Sequence, residues 1–162
     1  MIEWRAIAGK PLAVAVAGVT VVAVTGGLAT EIGPWYRNLR KPWFQPPDWL
    51  FGPAWTLIFL LTAVAATLLW RAARSDADRR KIVWSFAVNG LLNVFWSVLF
   101  FKLRRPDYAL VEVAFLWASI VQLILLARPL SSQAAWLLAP YLAWVTFASC
   151  LNAAVVALNG PF

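Results

Sequence analysis

The chain has no histidine, one cysteine (Cys150) and one methionine (Met1) in its 162 residues. A disulfide framework within one chain is excluded, and ordinary zinc, copper and bis-histidine haem sites lack their usual ligands. Charge is scarce too. Only 13% of residues are Asp, Glu, Lys or Arg, against about a quarter in a soluble domain. So few charges do not clothe a surface in water, and the deficit calls for a non-aqueous solvent. Internal repeats, low-complexity tracts and any second domain are also missing.

What is abundant is apolar length: 62% of residues are hydrophobic. Runs at 11–30, 49–70, 82–101, 108–127 and 129–162 take up most of the chain, and Glu112 is the only charged residue inside them. A helix needs roughly 20 apolar residues to cross a hydrocarbon core about 30 Å thick. Strands of that length are excluded, because an open sheet leaves its backbone unsatisfied in lipid. The sequence therefore predicts an all-α membrane protein. It is a five-transmembrane-helix bundle in one domain over 1–162, with spans at about 11–30, 53–72, 82–101, 108–127 and 134–158. The alternative that 11–30 is a cleaved signal peptide is weaker, since its apolar stretch exceeds a typical h-region and four similar segments follow.

The net charge of +7 excludes less than it suggests. Without a soluble domain the basic residues cannot form a nucleic-acid face, so they meet lipid headgroups instead. Five spans place Arg5, Lys10, Arg71, Arg74, Arg79, Arg80, Lys81 and Arg128 on one side, and Arg37, Arg40, Lys41, Lys102, Arg104 and Arg105 on the other. That imbalance is too small to fix orientation. The polar connection 73–81, with Asp76 and Asp78 among its basic residues, reads as a solvated loop.

The first connection, about 31–52, is different in kind. Pro34, Pro42, Pro46, Pro47 and Pro53 alternate with Trp35, Tyr36, Trp43, Phe44, Trp49, Phe51 and Trp55. Proline fixes φ and removes a donor, and the residue before it avoids the α region. This stretch cannot be one helix; it reads as a stiff, partly extended lid or a short broken helix. An interfacial aromatic belt needs scattered rings, not prolines stiffening the backbone that carries them.

Within the spans, Asn89, Asn93, Trp96 and Phe100 share a helical face by their spacing. Pro140, Trp144, Ala148, Leu151 and Asn152 share another, with Tyr141 and Phe147 at its margin, and the second span offers Trp55, Phe59 and Thr62. Buried amides in lipid are costly unless paired. Asn89 and Asn93 therefore face protein, either as interhelical glue or as a cavity wall. For Trp96 and Trp144 a cavity wall is preferred, because an indole opposes the close approach that small residues favour. Glu112, about one turn below Asp107, is either a snorkelling cap that reaches the interface or a Lys102 or Arg105 partner, or a ligand or proton contact, and the sequence favours neither. Ala13, Ala17, Gly18, Ala87 and Gly90 offer small surfaces for close helix contact, a common pattern that admits dimerisation without specifying it.

The segments WYRNLRKPWFQPPDW (35–49), FGPAW (51–55), LNVFWSVLFF (92–101) and PYLAWVTFASCLN (140–152) resemble the TspO/MBR family of tryptophan-rich sensory proteins and translocator proteins, also called peripheral benzodiazepine receptors. The match runs from about 35 to 152, in order and with the expected spacing. The resemblance implies a dimeric five-helix protein with a porphyrin-binding pocket under the first loop. Carried over by position, the ligand-binding residues are Trp43, Pro47, Trp49, Trp55, Asn93, Trp96, Phe101, Tyr108, Tyr141, Trp144, Phe147, Ala148 and Leu151. Tyr108 stands where a Trp is frequent in the family. Trp55 and Trp144 match a pair implicated in light- and oxygen-dependent breakdown of protoporphyrin, and so are the candidate catalytic residues. The aromatic-then-basic cholesterol motif of animal members is replaced here by LNAAVVALNG.

These readings converge on a membrane sensor or transporter for protoporphyrin or a related tetrapyrrole, needing no cofactor. A flat macrocycle suits stacking on indoles, and its propionates suit Arg37, Arg40 or Lys41. The lack of histidine favours a metal-free porphyrin over firmly held haem. The competing classes are a cofactorless photo-oxidative porphyrin-degrading enzyme and a non-porphyrin transporter working through Glu112. Residue usage favours a bacterial source and does not separate inner from outer membrane.

Overall fold

A computed structural model of the chain describes residues 9–162. All five expected spans fall on helices: α1 (Lys10–Ala29), α3 (Phe51–Ala72), α4 (Asp76–Ser97), α5 (Pro106–Ala127) and α6 (Ser132–Asn159). The short α2 (Pro34–Asn38) lies in the first connection. Every long helix is apolar enough to cross a membrane, and the protein is integral and multi-pass. Arg5, counted above for orientation, lies outside the described residues.

Local chemistry explains the boundaries. Pro11, Pro34 and Pro106 stand in the first turns of α1, α2 and α5, where the missing N–H costs nothing. The 73–81 connection is shorter than the sequence reading allowed. Asp76, Asp78, Arg79, Arg80 and Lys81 form the first turns of α4, because Ser75 caps it by accepting the Asp78 N–H at 3.1 Å. Acidic residues there also suit the positive helix end. Ser131 caps α6 in the same way, from the Ala134 N–H at 3.2 Å.

The helices close into a ring. α1 packs on α3, α3 on α6, α6 on α5, α5 on α4, and α4 back on α1. Helices in lipid gain little from the hydrophobic effect, so packing and interhelical hydrogen bonds hold them together. At the end away from the first connection, small residues let backbones approach: Ala65, Ala127, Ala134 and Ala135 pack with Leu69, Leu123 and Leu138 in one dense cluster. Gly90 does the same for α1 and α4, since a Cβ there would lie 2.8 Å from Val22 Cγ2. The predicted close contact at Gly90 thus exists, but inside the chain.

A chain of polar side chains crosses the bundle. Asn93 Nδ2 donates to Tyr141 Oη at 3.0 Å, Tyr141 Oη to Asn89 Oδ1 at 3.2 Å, Asn89 Nδ2 to Ser119 Oγ at 2.8 Å, and Ser119 Oγ to the Leu116 carbonyl at 2.7 Å. It ties α4, α5 and α6 together. The Asn152 amide, with its nitrogen toward Pro106, donates to that carbonyl at 3.1 Å and accepts from the Leu110 N–H at 2.9 Å. Asn89 and Asn93 both serve as interhelical glue, and Asn93 is a cavity wall as well.

Candidate functional site

At the other end of the ring, large rings replace alanines and hold the helices apart. A cavity of about 600 Å³ opens there, beneath the first connection, a volume in the usual range for small-molecule sites. Four indoles line it from four parts of the chain: Trp49 from the lid, Trp55 from α3, Trp96 from α4 and Trp144 from α6.

Three of the four are braced by other rings, while Trp49, on the lid, is 71% exposed. Trp55 stacks on Phe59, centroids 5.4 Å apart, and meets Tyr141 edge-on at 6.0 Å. Trp144 sits edge-on to Phe51 at 5.6 Å and against Phe147 at 5.8 Å. Trp96 stacks on Phe100 at 5.1 Å. Offset and edge-to-face pairs of this kind add about 0.5–1.5 kcal/mol each beyond area burial, so the walls are stiff. The Trp96 and Trp144 N–H groups are buried and meet no acceptor among the described residues.

The helix end after Ser97 decides which phenylalanine faces the cavity. Val98–Lys102 forms a π-turn, with the Leu103 N–H bonded to the Val98 carbonyl at 2.9 Å. Arg104 follows at φ 54°, the left-handed region that ends helices. The wide turn rotates the chain, so Phe101 lines the cavity while Phe100 is buried behind it, edge-on to Trp35 at 6.1 Å. Such turns recur at functional sites.

The lid is fastened at several points, which fits the stiffness expected of its prolines. Arg40 N–H donates to Asn159 Oδ1 at 2.7 Å, and Asn159 Nδ2 returns a bond to the Arg40 carbonyl at 2.9 Å. Phe44 leans on Phe147 at 6.4 Å and Tyr36 on Phe101 at 5.5 Å, while Lys102 pairs with Glu31 just outside α1. That pairing holds the Glu31 carboxyl below its ordinary range, chiefly through the Lys102 hydrogen bond. At the rim Tyr36 donates to Asp48 at 3.3 Å, Gln45 bonds both, and Lys41 lies 3.8 Å from Asp48 and 4.2 Å from the Tyr36 ring centre. Burial, then the Asp48 charge, pushes the Tyr36 hydroxyl up to about 12.

Of the sequence-predicted residues, Trp49, Trp55, Asn93, Trp96, Phe101, Trp144 and Ala148 line this cavity. Tyr141 stands behind Trp55, Phe147 behind Trp144, and Leu151 is buried away from it. Pro47 precedes the single 3₁₀ turn Asp48–Leu50 that delivers Trp49. Two residues point elsewhere. Trp43 is 95% exposed, with Phe44 its ring neighbour, and Tyr108 is 54% exposed under the Arg105 guanidinium at 3.7 Å.

Glu112 departs from its expected place. It is buried, and among the described residues neither carboxyl oxygen has a partner, because Lys102 is engaged by Glu31 and Arg105 by Asp107. The reading that it snorkels to a basic partner is corrected. Its side of α5 also bears Ser119 and turns toward α4 rather than the rim. The wall that sequence reasoning missed is α1, whose Val22, Ala23, Gly26 and Gly27 close the cavity together with Thr30 just past its end. A Gly-Gly pair ending an apolar span was its one visible signal.

The comparisons with known proteins agree with this architecture. The TspO/MBR family profile matches residues 13–158. The tryptophan-rich protein TspO of Archaeoglobus fulgidus is 40% identical over 131 residues, covering 81% of this chain and 84% of the relative. The tryptophan-rich sensory protein of Cereibacter sphaeroides is 34% identical over 137 residues, 85% and 84% of the two chains. The translocator protein of Homo sapiens is 30% identical over 119 residues, 73% and 70%. A five-helix ring enclosing an indole-walled cavity, matched by that family over nearly its whole length, identifies this chain as a member of the TspO/MBR family.

Proposed function

We propose that the protein binds protoporphyrin or a related tetrapyrrole in the cavity under the first connection, and acts as a sensor or transporter for it. The convergence of Trp49, Trp55, Trp96 and Trp144 on one largely apolar hollow carries this reading. A planar macrocycle gains most from stacking on indole faces. Arg37 and Arg40, exposed on the lid outside the cavity lining, supply cations for its propionates, as does Lys41 once it leaves Asp48. The setting is a bacterial membrane, with the chain as a homodimer.

Titration with protoporphyrin IX, followed by tryptophan emission, tests the proposal. Quenching that saturates at micromolar ligand, and weakens in Trp96→Ala, is the expected result. Unchanged emission refutes it. A second reading, light-dependent oxidation of the bound porphyrin by dioxygen, is favoured by Trp55 and Trp144 lining the same cavity. Bleaching under light that slows in Trp144→Phe supports it, and equal bleaching reduces it to chemistry of the ligand alone.

A further inference from the structure

The end of the bundle opposite the lid has a concavity of its own. An open cleft of about 480 Å³ lies between the first turns of α4 and the last turns of α5. Arg80, Lys81, Trp84 and Ser85 form one wall, with Gln122 and Leu126 facing them.

Three observations set this cleft apart from an ordinary solvated charge run. The first is the charge balance. Asp76 is taken by Arg79 at 3.4 Å, and Asp78 accepts the Arg74 N–H at 3.2 Å. Arg79 itself lies over the Trp70 ring at 5.3 Å. Among the described residues, Arg80 and Lys81 have no ion-pair or hydrogen-bond partner. The second is the floor. Ser85 is buried and accepts from Gln122 Nε2 at 3.1 Å, which leaves the Gln122 carbonyl and a second N–H for another polar group. Such groups inside an apolar span are costly without partners. The third is the continuation into the membrane. Trp84, Val88, Leu91 and Phe95 are exposed at i, i+4, i+7 and i+11 on α4, an apolar track leading away from the cations, with Trp84 at the headgroup level that indoles favour.

We propose that this cleft binds the phosphate headgroup of an anionic phospholipid. Arg80 and Lys81 hold the phosphate oxygens, Gln122 meets a glycerol or headgroup hydroxyl, and an acyl chain follows the α4 track. Free phosphate shares the charge chemistry but has no use for the apolar track. Basic clefts between helices at a membrane surface are suited to such headgroups.

Native mass spectrometry of the full chain tests this, comparing retention of phosphatidylglycerol with phosphatidylcholine of the same chains. The wild type should retain phosphatidylglycerol preferentially. Each headgroup-level cation contributes about a fivefold preference, so Arg80→Gln/Lys81→Gln should lower it about thirtyfold. Arg80→Lys should keep the preference, which separates lost charge from lost fold, and Arg104→Gln, at the lid end, should leave it unchanged. A double variant that keeps the preference overturns the proposal. So does Arg104→Gln lowering it as much as Arg80→Gln, which marks diffuse charge attraction. Displacement of the lipid by excess inorganic phosphate overturns the lipid assignment and leaves a free-phosphate site.

Discussion

Tyr141→Phe removes one oxygen from the middle of the polar chain that crosses α4, α5 and α6. The ring stays, so its edge contact with Trp55 at 6.0 Å and the cavity wall should survive. Two hydrogen bonds disappear: the one accepted from Asn93 Nδ2 at 3.0 Å and the one given to Asn89 Oδ1 at 3.2 Å. Interhelical hydrogen bonds in a membrane average ~0.6 kcal/mol, so their loss alone removes about 1.2 kcal/mol. Buried groups left unpartnered cost about 1–3 kcal/mol, and both asparagines are buried, so the total should be about 2 kcal/mol. Asn89 keeps its bond to Ser119, which limits the damage. Reversible unfolding in mixed micelles, for Tyr141→Phe, Asn93→Ala and the double variant, should give a coupling energy of about 1 kcal/mol between the two sites. Protoporphyrin affinity should change less than stability. Zero coupling refutes the idea that this chain fastens the helices. A large loss of ligand binding with unchanged stability refutes the separation of clamp from cavity.

Three other perturbations follow from the geometry. Ala148→Phe fills part of the 600 Å³ cavity and should abolish quenching by protoporphyrin while size-exclusion behaviour stays that of the wild type. Gly90→Ala places a methyl 2.8 Å from Val22 Cγ2; valine is stiff about χ1, so overpacking should cost about 1–3 kcal/mol in the same unfolding assay. Tyr36 has its hydroxyl raised to about 12 from an ordinary value near 10. Because the folded pKa lies above the unfolded one, its contribution is complete below about pH 10 and is lost as pH rises toward 12. Tyrosinate absorbance should therefore show a late-titrating group that Tyr36→Phe removes, and lid-dependent stability should fall over that alkaline window in the wild type alone.

Much of this protein is written in one-dimensional pattern. Five apolar runs of membrane length, four of them charge-free and the fifth holding only Glu112, leave a chain no other way to satisfy its backbone in lipid, so the helices and their order follow from composition. The prolines and rings of 34–55 also declare a stiff lid by local rules, because φ restriction and missing donors act on neighbours. The start of α4 was legible as well: Ser75 followed by Asp78 is a capping pattern, hidden by the charges around it.

The cavity is another matter. Periodicity on α4 puts Asn89, Asn93, Trp96 and Phe100 on one face, yet the π-turn after Ser97 buries Phe100 and turns Phe101 inward. That turn is one residue wider than the helix the pattern assumes. Glu112 could not be read as unpartnered, since its basic neighbours in sequence are claimed by Glu31 and Asp107 in space. Trp43 and Tyr108 carry the aromatic character of the site without its position, and α1 supplies a wall with few chemical marks. Sequence determined which segments cross the membrane, because that depends on the solvent preference of each segment. The closing of the ring decided which side chains share a hollow, because convergence depends on distances between segments that no local pattern encodes.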